Sequence, residues 1–178
     1  MSSDITVGVA IAIPQPHASV LTRWRSQIGD PAASLVFPHV TLLPPTPVAA
    51  ERIDDVEAHL AKAASNSAPF SMHLSGTGTF RPLSPVVFIQ ISRGVADCEL
   101  LEREIRSGVL ARDLDFPYHP HVTVAQEVAD AALDDAYDGL STFVARFAVD
   151  GFVLFSRDDS GAWTWRREFR LGRPDGHE

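Results

Sequence analysis

The tetrapeptide Pro-His-Val-Thr occurs twice, as Pro38-His39-Val40-Thr41 and Pro120-His121-Val122-Thr123, each time inside an apolar run that reads as a strand. Along a strand successive side chains point to opposite faces, so His39 and Thr41 share one face while Val40 points to the other. The second copy divides its residues in the same way. A chain built like this needs two strands whose valines reach a core while both His-Thr pairs stay on the opposite face. Four matching residues are weak evidence of a repeat; their surroundings decide the matter.

Apolar periodicity predicts a strand at 5–13, then a helix near 16–29 with Val20, Leu21, Trp24 and Ile28 as its stripe, punctuated by Pro14, Pro16 and Gly29. A strand at 35–43 carries the first motif, and Pro44-Pro45-Thr46-Pro47 is expected to stop it. A helix near 49–64, with Ile53, Val56, Leu60 and Ala64 on one face, leads to a strand at 70–80. The order then starts again with a strand at 86–91, a helix near 95–110, the second motif strand at 119–125, a helix near 129–141 and a strand at 144–155. Each motif holds the same ordinal place in its half. A closing hairpin is expected around Asp158-Asp159-Ser160-Gly161, joining 152–156 to 163–171, with a frayed tail from Gly172. The chain reads as α+β, a single domain over 1–178 with pseudo-symmetric halves of roughly 1–82 and 83–178.

A length of 178 residues with 45% hydrophobic content suffices for one core. The apolar stretch 5–13 lacks a basic leader and is too short to cross a bilayer, so no membrane association and a cytoplasmic location are expected. The single cysteine, Cys98, lies at helical spacing with Leu101, Ile105 and Val109 and reads as a core residue. With 23 acidic against 15 basic residues, the net charge of −8 argues against a long nucleic-acid footprint, unless arginines cluster locally. There is no phosphate loop and no G-x-S-x-G elbow. The only lysine, Lys62, sits inside a helical pattern, which argues against a ligase working through a lysyl-nucleotide.

Two imidazoles and two hydroxyls, brought together if the motif strands are neighbours, suit acid-base chemistry on a phosphate. The two H-x-T motifs, 82 positions apart, the second within Tyr118-His119-Pro120-His121-Val122-Thr123-Val124-Ala125, resemble the 2H phosphoesterase superfamily, nearest its bacterial 2'-5' RNA ligase and cyclic phosphodiesterase branch. That resemblance covers nearly the whole chain. It implies a bilobal fold with two antiparallel-rich sheets facing a central cleft and helices outside. It also implies His39 and His121 as the acid-base pair, with Thr41 and Thr123 as phosphate ligands. The implied reaction is the metal-independent opening of 2',3'-cyclic phosphates on small nucleotides or RNA ends, by a monomer without cofactors. ATP-independent 2'-5' joining would be its reverse.

Further candidates surround the motifs. Phe37 and His119 stand two residues before each histidine, and Phe80, Arg81 and Tyr118 could contact substrate; Phe116, Trp163 and Trp165 are additional stacking candidates. Gln126 stands where many family members carry a phosphate-holding arginine, and Arg81 is a candidate replacement. Two other readings remain open at this level: a non-catalytic module binding a nucleotide or phosphate in the same cleft, and a metal-dependent hydrolase built on His119 and His121.

Overall fold

The computed structural model describes residues 3–172, and the remainder of the tail expected to fray lies outside them. Eight strands and four helices follow in order: β1 (Asp4–Ala12), α1 (His17–Gln27), β2 (His39–Ala49), α2 (Ile53–Ser65), β3 (Phe70–Thr79), β4 (Val86–Arg93), α3 (Val95–Ile105), β5 (Val122–Gln126), α4 (Asp130–Gly139), β6 (Val144–Val149), β7 (Gly151–Arg157) and β8 (Trp163–Arg170). The α+β class and the helix positions match the sequence expectation.

The expected pair of sheets is instead one eight-stranded sheet, ordered β6-β3-β4-β5-β2-β1-β7-β8, with every pairing antiparallel. Two four-stranded groups meet at its centre through a single pair, Val40 opposite Val122. The groups do not follow the chain halves. β3 belongs to residues 1–82 yet pairs with β4 and β6, while β7 and β8 extend the group started by β1 and β2.

The strand expected at 144–155 is broken at Asp150, which hands the chain from β6 to β7. Those strands stand six places apart in the sheet order, so a flat sheet would separate them by about 29 Å. Two backbone steps reach about 7.6 Å. The sheet must therefore bend until β6 and β7 meet end to end.

The expectation that Pro44-Pro45-Thr46-Pro47 ends the strand is also corrected, since β2 continues to Ala49. Beyond Val40 its only ladder partner is β1, and a register shift between the pairs Val7 with Thr46 and Val9 with Leu43 absorbs the extra residue. Prolines fit an open edge and an irregularity, where missing N–H donors cost little.

Alternation sends Val7, Val9, Ile11, Val40, Leu42, Ile89, Val122 and Val124 into a core that also takes Leu21, Leu60, Leu101, Ile105 and Leu133 from the helices. Cys98 lies in that core, and burial pushes its thiol up to about 12. Gly139 of α4 lies under the Trp24 ring of α1, where even a methyl group would overlap it.

A buried ion pair fastens α1 to the end of β5. Arg25 Nε donates to Asp30 Oδ2 at 2.6 Å, and the same carboxylate accepts from the backbone N–H of Ala32 at 2.9 Å and of Gln126 at 3.1 Å. Removing one member leaves a buried charge unpartnered. Asp30→Ala is expected to cost about 3–5 kcal/mol in denaturant-midpoint measurements, whereas the apolar pair Arg25→Met with Asp30→Leu recovers most of that loss.

Candidate active site

Each motif histidine directly follows a proline, and the regular ladders begin only there, β2 at His39 and β5 at Val122. Proline supplies no N–H to a ladder, which accounts for the late start. The two central valines are fully buried and face each other across the strands. Alternation then turns His39, Thr41, His121 and Thr123 to the opposite, open face, where all four are half-buried. Antiparallel direction sets His39 across from Thr123 and Thr41 across from His121. The structure thus joins the four residues singled out in the sequence.

Both imidazoles are oriented by the same device. His39 Nδ1 donates to the Phe37 carbonyl at 2.7 Å, and His121 Nδ1 donates to the His119 carbonyl at 2.6 Å. A carbonyl only accepts, so in each neutral ring the proton sits on Nδ1 and Nε2 is left as the basic nitrogen. Phe37 and His119 therefore share a role that parity had suggested only loosely: each fixes the tautomer of the histidine two residues later.

Aromatic rings surround both imidazoles. On one side Trp163 lies 4.3 Å from His39 between ring centroids, stacks on Phe155 at 3.5 Å, and meets Phe37 at 5.3 Å; Trp165 meets Phe37 at the same 5.3 Å. On the other side Phe80 and Phe88 approach His121 at 4.9 and 5.2 Å, and His119 is 5.8 Å from it. Glycines make room for these rings: a Cβ at Gly78 would lie 2.7 Å from the Phe88 ring, and one at Gly8 would overlap Phe155. An open groove of about 940 Å³, lined by α1, Leu35, Phe37, Trp163 and Trp165, adjoins the His39 side.

Phe37, Phe80 and His119 thus stand at the site. Two other expected substrate contacts do not. Tyr118 packs against the core and donates its hydroxyl to the Thr41 carbonyl at 2.7 Å, and burial pushes its pKa up. It positions Thr41 rather than offering a free ring. Arg81 is held toward α4 by Asp134 at 2.9 Å and donates to Thr79 Oγ1 at 3.3 Å, so its guanidinium is engaged outside the ring clusters. Phe116 is 78% exposed and belongs to neither ring cluster. Phe88 and Phe155 were not singled out in the sequence, because their approach depends on cross-strand register: Phe88 pairs with Thr123 and Phe155 with Gly8. Among the described residues no three His, Cys, Asp or Glu side chains gather into a group able to hold a metal ion.

Desolvation dominates the electrostatics. Burial among the rings lowers the His39 pKa to about 4, opposed by the Phe37 carbonyl and assisted by the charges of Arg25 and His121. His121 is lowered too, first by burial and then by the charge of His119, against the pull of the His119 carbonyl. Both rings are accordingly neutral at pH 7 in the free protein.

The comparisons with known proteins agree with this geometry. Residues 13–161 match the family model of the 2'-5' RNA ligase superfamily. A Bacillus thuringiensis (strain Al Hakam) protein named "Putative phosphoesterase" is 30% identical over 146 residues, covering 81% of this chain and 84% of its own. A Bacillus cereus (strain B4264) protein of the same name prefix matches equally. Among solved structures, Escherichia coli LigT complexed with 3'-AMP superposes with a TM-score of 0.70 at 22% identity, over 96% of this chain and 99% of that one. A protein of Thermus thermophilus superposes at 0.63 and 22% identity, over 95% and 99%. These structures establish the shared fold.

The lowered histidines carry a consequence for stability. An unfolded chain protonates them near pH 6.5, while the fold holds His39 neutral down to about 4. Between those values the unfolded state binds more protons, so their contribution is complete above pH 6.5 and is lost as pH falls toward 4. Denaturant midpoints are expected to drop across that window, and less steeply in His39→Gln.

Proposed function

We propose, from the premise that this chain belongs to the 2'-5' RNA ligase superfamily, that it is a metal-independent phosphodiesterase opening 2',3'-cyclic phosphates on nucleotides or RNA ends. The observation carrying this reading is the matched pair of imidazoles. Each is tied through Nδ1 to the carbonyl two residues back, and each stands across the central strand pair from a threonine.

One Nε2 takes the proton of a water as its oxygen attacks phosphorus. The other imidazole, protonated, gives its proton to the sugar oxygen as the bond from phosphorus to that oxygen breaks. Each transfer is worth about 10² to 10⁴ in rate. The Thr41 and Thr123 hydroxyls donate to the non-bridging oxygens, where negative charge grows. The same steps in reverse, with a 5'-hydroxyl in place of water, join RNA ends without ATP. The bound phosphodiester is an anion, and it supplies the field that restores a proton to one of two otherwise neutral rings.

Resemblance to LigT, whose solved complexes hold 3'-AMP, NADP+, ATP and phosphate, supports a small nucleotide as the occupant. A module that only retains a nucleotide would need neither a second imidazole nor a matched tautomer.

His39→Ala and His121→Ala should each lower kcat/KM for nucleoside 2',3'-cyclic monophosphates by about 10² to 10⁴. Chelator should leave the wild-type rate unchanged. Full activity in either variant, or loss of activity with chelator, overturns the proposal. Because both free-site pKa values are lowered, the bell of kcat/KM against pH should centre below 6.5. The kcat profile should lie at higher pH, since bound phosphate raises the pKa of the ring that must be protonated.

A further inference from the structure

On the open face of the sheet, away from the paired histidines, three basic residues stand in a row across three strands. His73 of β3 is directly opposite Arg93 of β4 on one side and Arg146 of β6 on the other. Met72 and Leu74, flanking His73, are completely buried, so His73 itself points away from the core. Arg93 and Arg146 are exposed, as are Ser71, Ser75 and Ser92 around them. Among the described residues none of the three basic side chains has a carboxylate within ion-pair distance; the arginines so paired are Arg25, Arg52, Arg81 and Arg106.

Directly opposed residues in antiparallel strands have Cβ atoms about 5 Å apart, and like charges there are destabilising. Arg146 lies on the edge strand β6 and Arg93 lies beyond the last pair of β4 with β5, Ile89 with Val122, so edge protection bears on each arginine but not on their meeting across His73. His73 lies on β3, which is paired on both sides at that position. In a chain of net charge −8, two uncompensated guanidiniums flanking an imidazole, bordered by hydroxyls, form a local basic patch whose natural complement is an anion.

The row shares its sheet face with the active site. Phe88 of β4 pairs with Thr123, and Arg93 ends the same strand five residues further on, which is about 16 Å of strand. That is about five steps of a stacked strand at ~3.4 Å each. We propose that His73, Arg93 and Arg146 bind backbone phosphates of an RNA strand whose cyclic-phosphate end lies between His39 and His121. Resting on the function proposed above, this names the substrate class as an oligomeric RNA end rather than a free mononucleotide.

The test compares a fluorescein-labelled ten-nucleotide RNA ending in a 2',3'-cyclic phosphate with the matching cyclic mononucleotide. For Arg93→Ala/Arg146→Ala, kcat/KM on the oligomer should fall at least tenfold while turnover of the mononucleotide stays unchanged, which also reports an intact fold. The slope of log affinity against log salt, read by anisotropy, should become shallower by about 1.4, or ~0.7 for each lost phosphate contact. Arg93→Lys/Arg146→Lys should keep most of the slope. Unchanged oligomer binding and turnover, or equal losses on both substrates, overturns the inference. Anisotropy does not depend on turnover, so wild-type protein that binds the RNA with the expected salt slope but hydrolyses neither substrate would refute the proposed reaction and leave this site standing.

Discussion

The site rests on one strand pair. Val40 and Val122 form the only strand pair, among the described residues, that joins the two four-stranded groups, and both are fully buried. Because side chains alternate, sinking these two valines into the core forces the four polar motif residues onto the other face. A slip of one residue in either strand would expose a valine and bury a histidine and a threonine, so the hydrophobic core holds the register that the proposed chemistry requires. The bend imposed by the short turn at Asp150 then folds the two groups around that pair.

Packing and reactivity are coupled at the site. Phe155 and Trp163 on one side and Phe80 and Phe88 on the other exclude water from the imidazoles, and this exclusion lowers both pKa values. The Phe37 and His119 carbonyls oppose the shift while fixing the tautomer. Tyr118 works from the core side through its bond to the Thr41 carbonyl. The first motif strand is thus held from behind by a side chain that lies just ahead of the second motif.

The element order, the helices and the four motif residues were legible in the sequence because periodicity and a repeated tetrapeptide are local signals. Strand pairing was not. Nothing local reveals that β3 would pair with β4 and β6, or that Asp150 would divide one apolar run between distant strands. Phe88 looked like any strand phenylalanine until its register set it opposite Thr123. Arg81 and Tyr118 were misplaced for a related reason: a long side chain near a motif is claimed by whichever partner the fold brings within reach, here Asp134 and the Thr41 carbonyl. The row of His73, Arg93 and Arg146 was equally hidden, because its members are scattered along the chain and meet only through pairing.

The fate of the arginines bears on how the proposed reaction would run. The resemblance implies an arginine where Gln126 stands, Arg81 is engaged by Asp134, and Arg25 by the buried Asp30. None of these guanidiniums is free to neutralise a phosphate between the histidines. A fixed cation would bind the phosphodiester at any pH, whereas an imidazole does so only after taking up a proton. Both rings are held neutral by burial, so binding of the anion and protonation of a ring are thermodynamically linked. In the proposed reaction the proton that strengthens phosphate binding is the same proton the leaving oxygen requires. On the proposed reaction, recognition of the phosphate and arming of the acid are therefore one event.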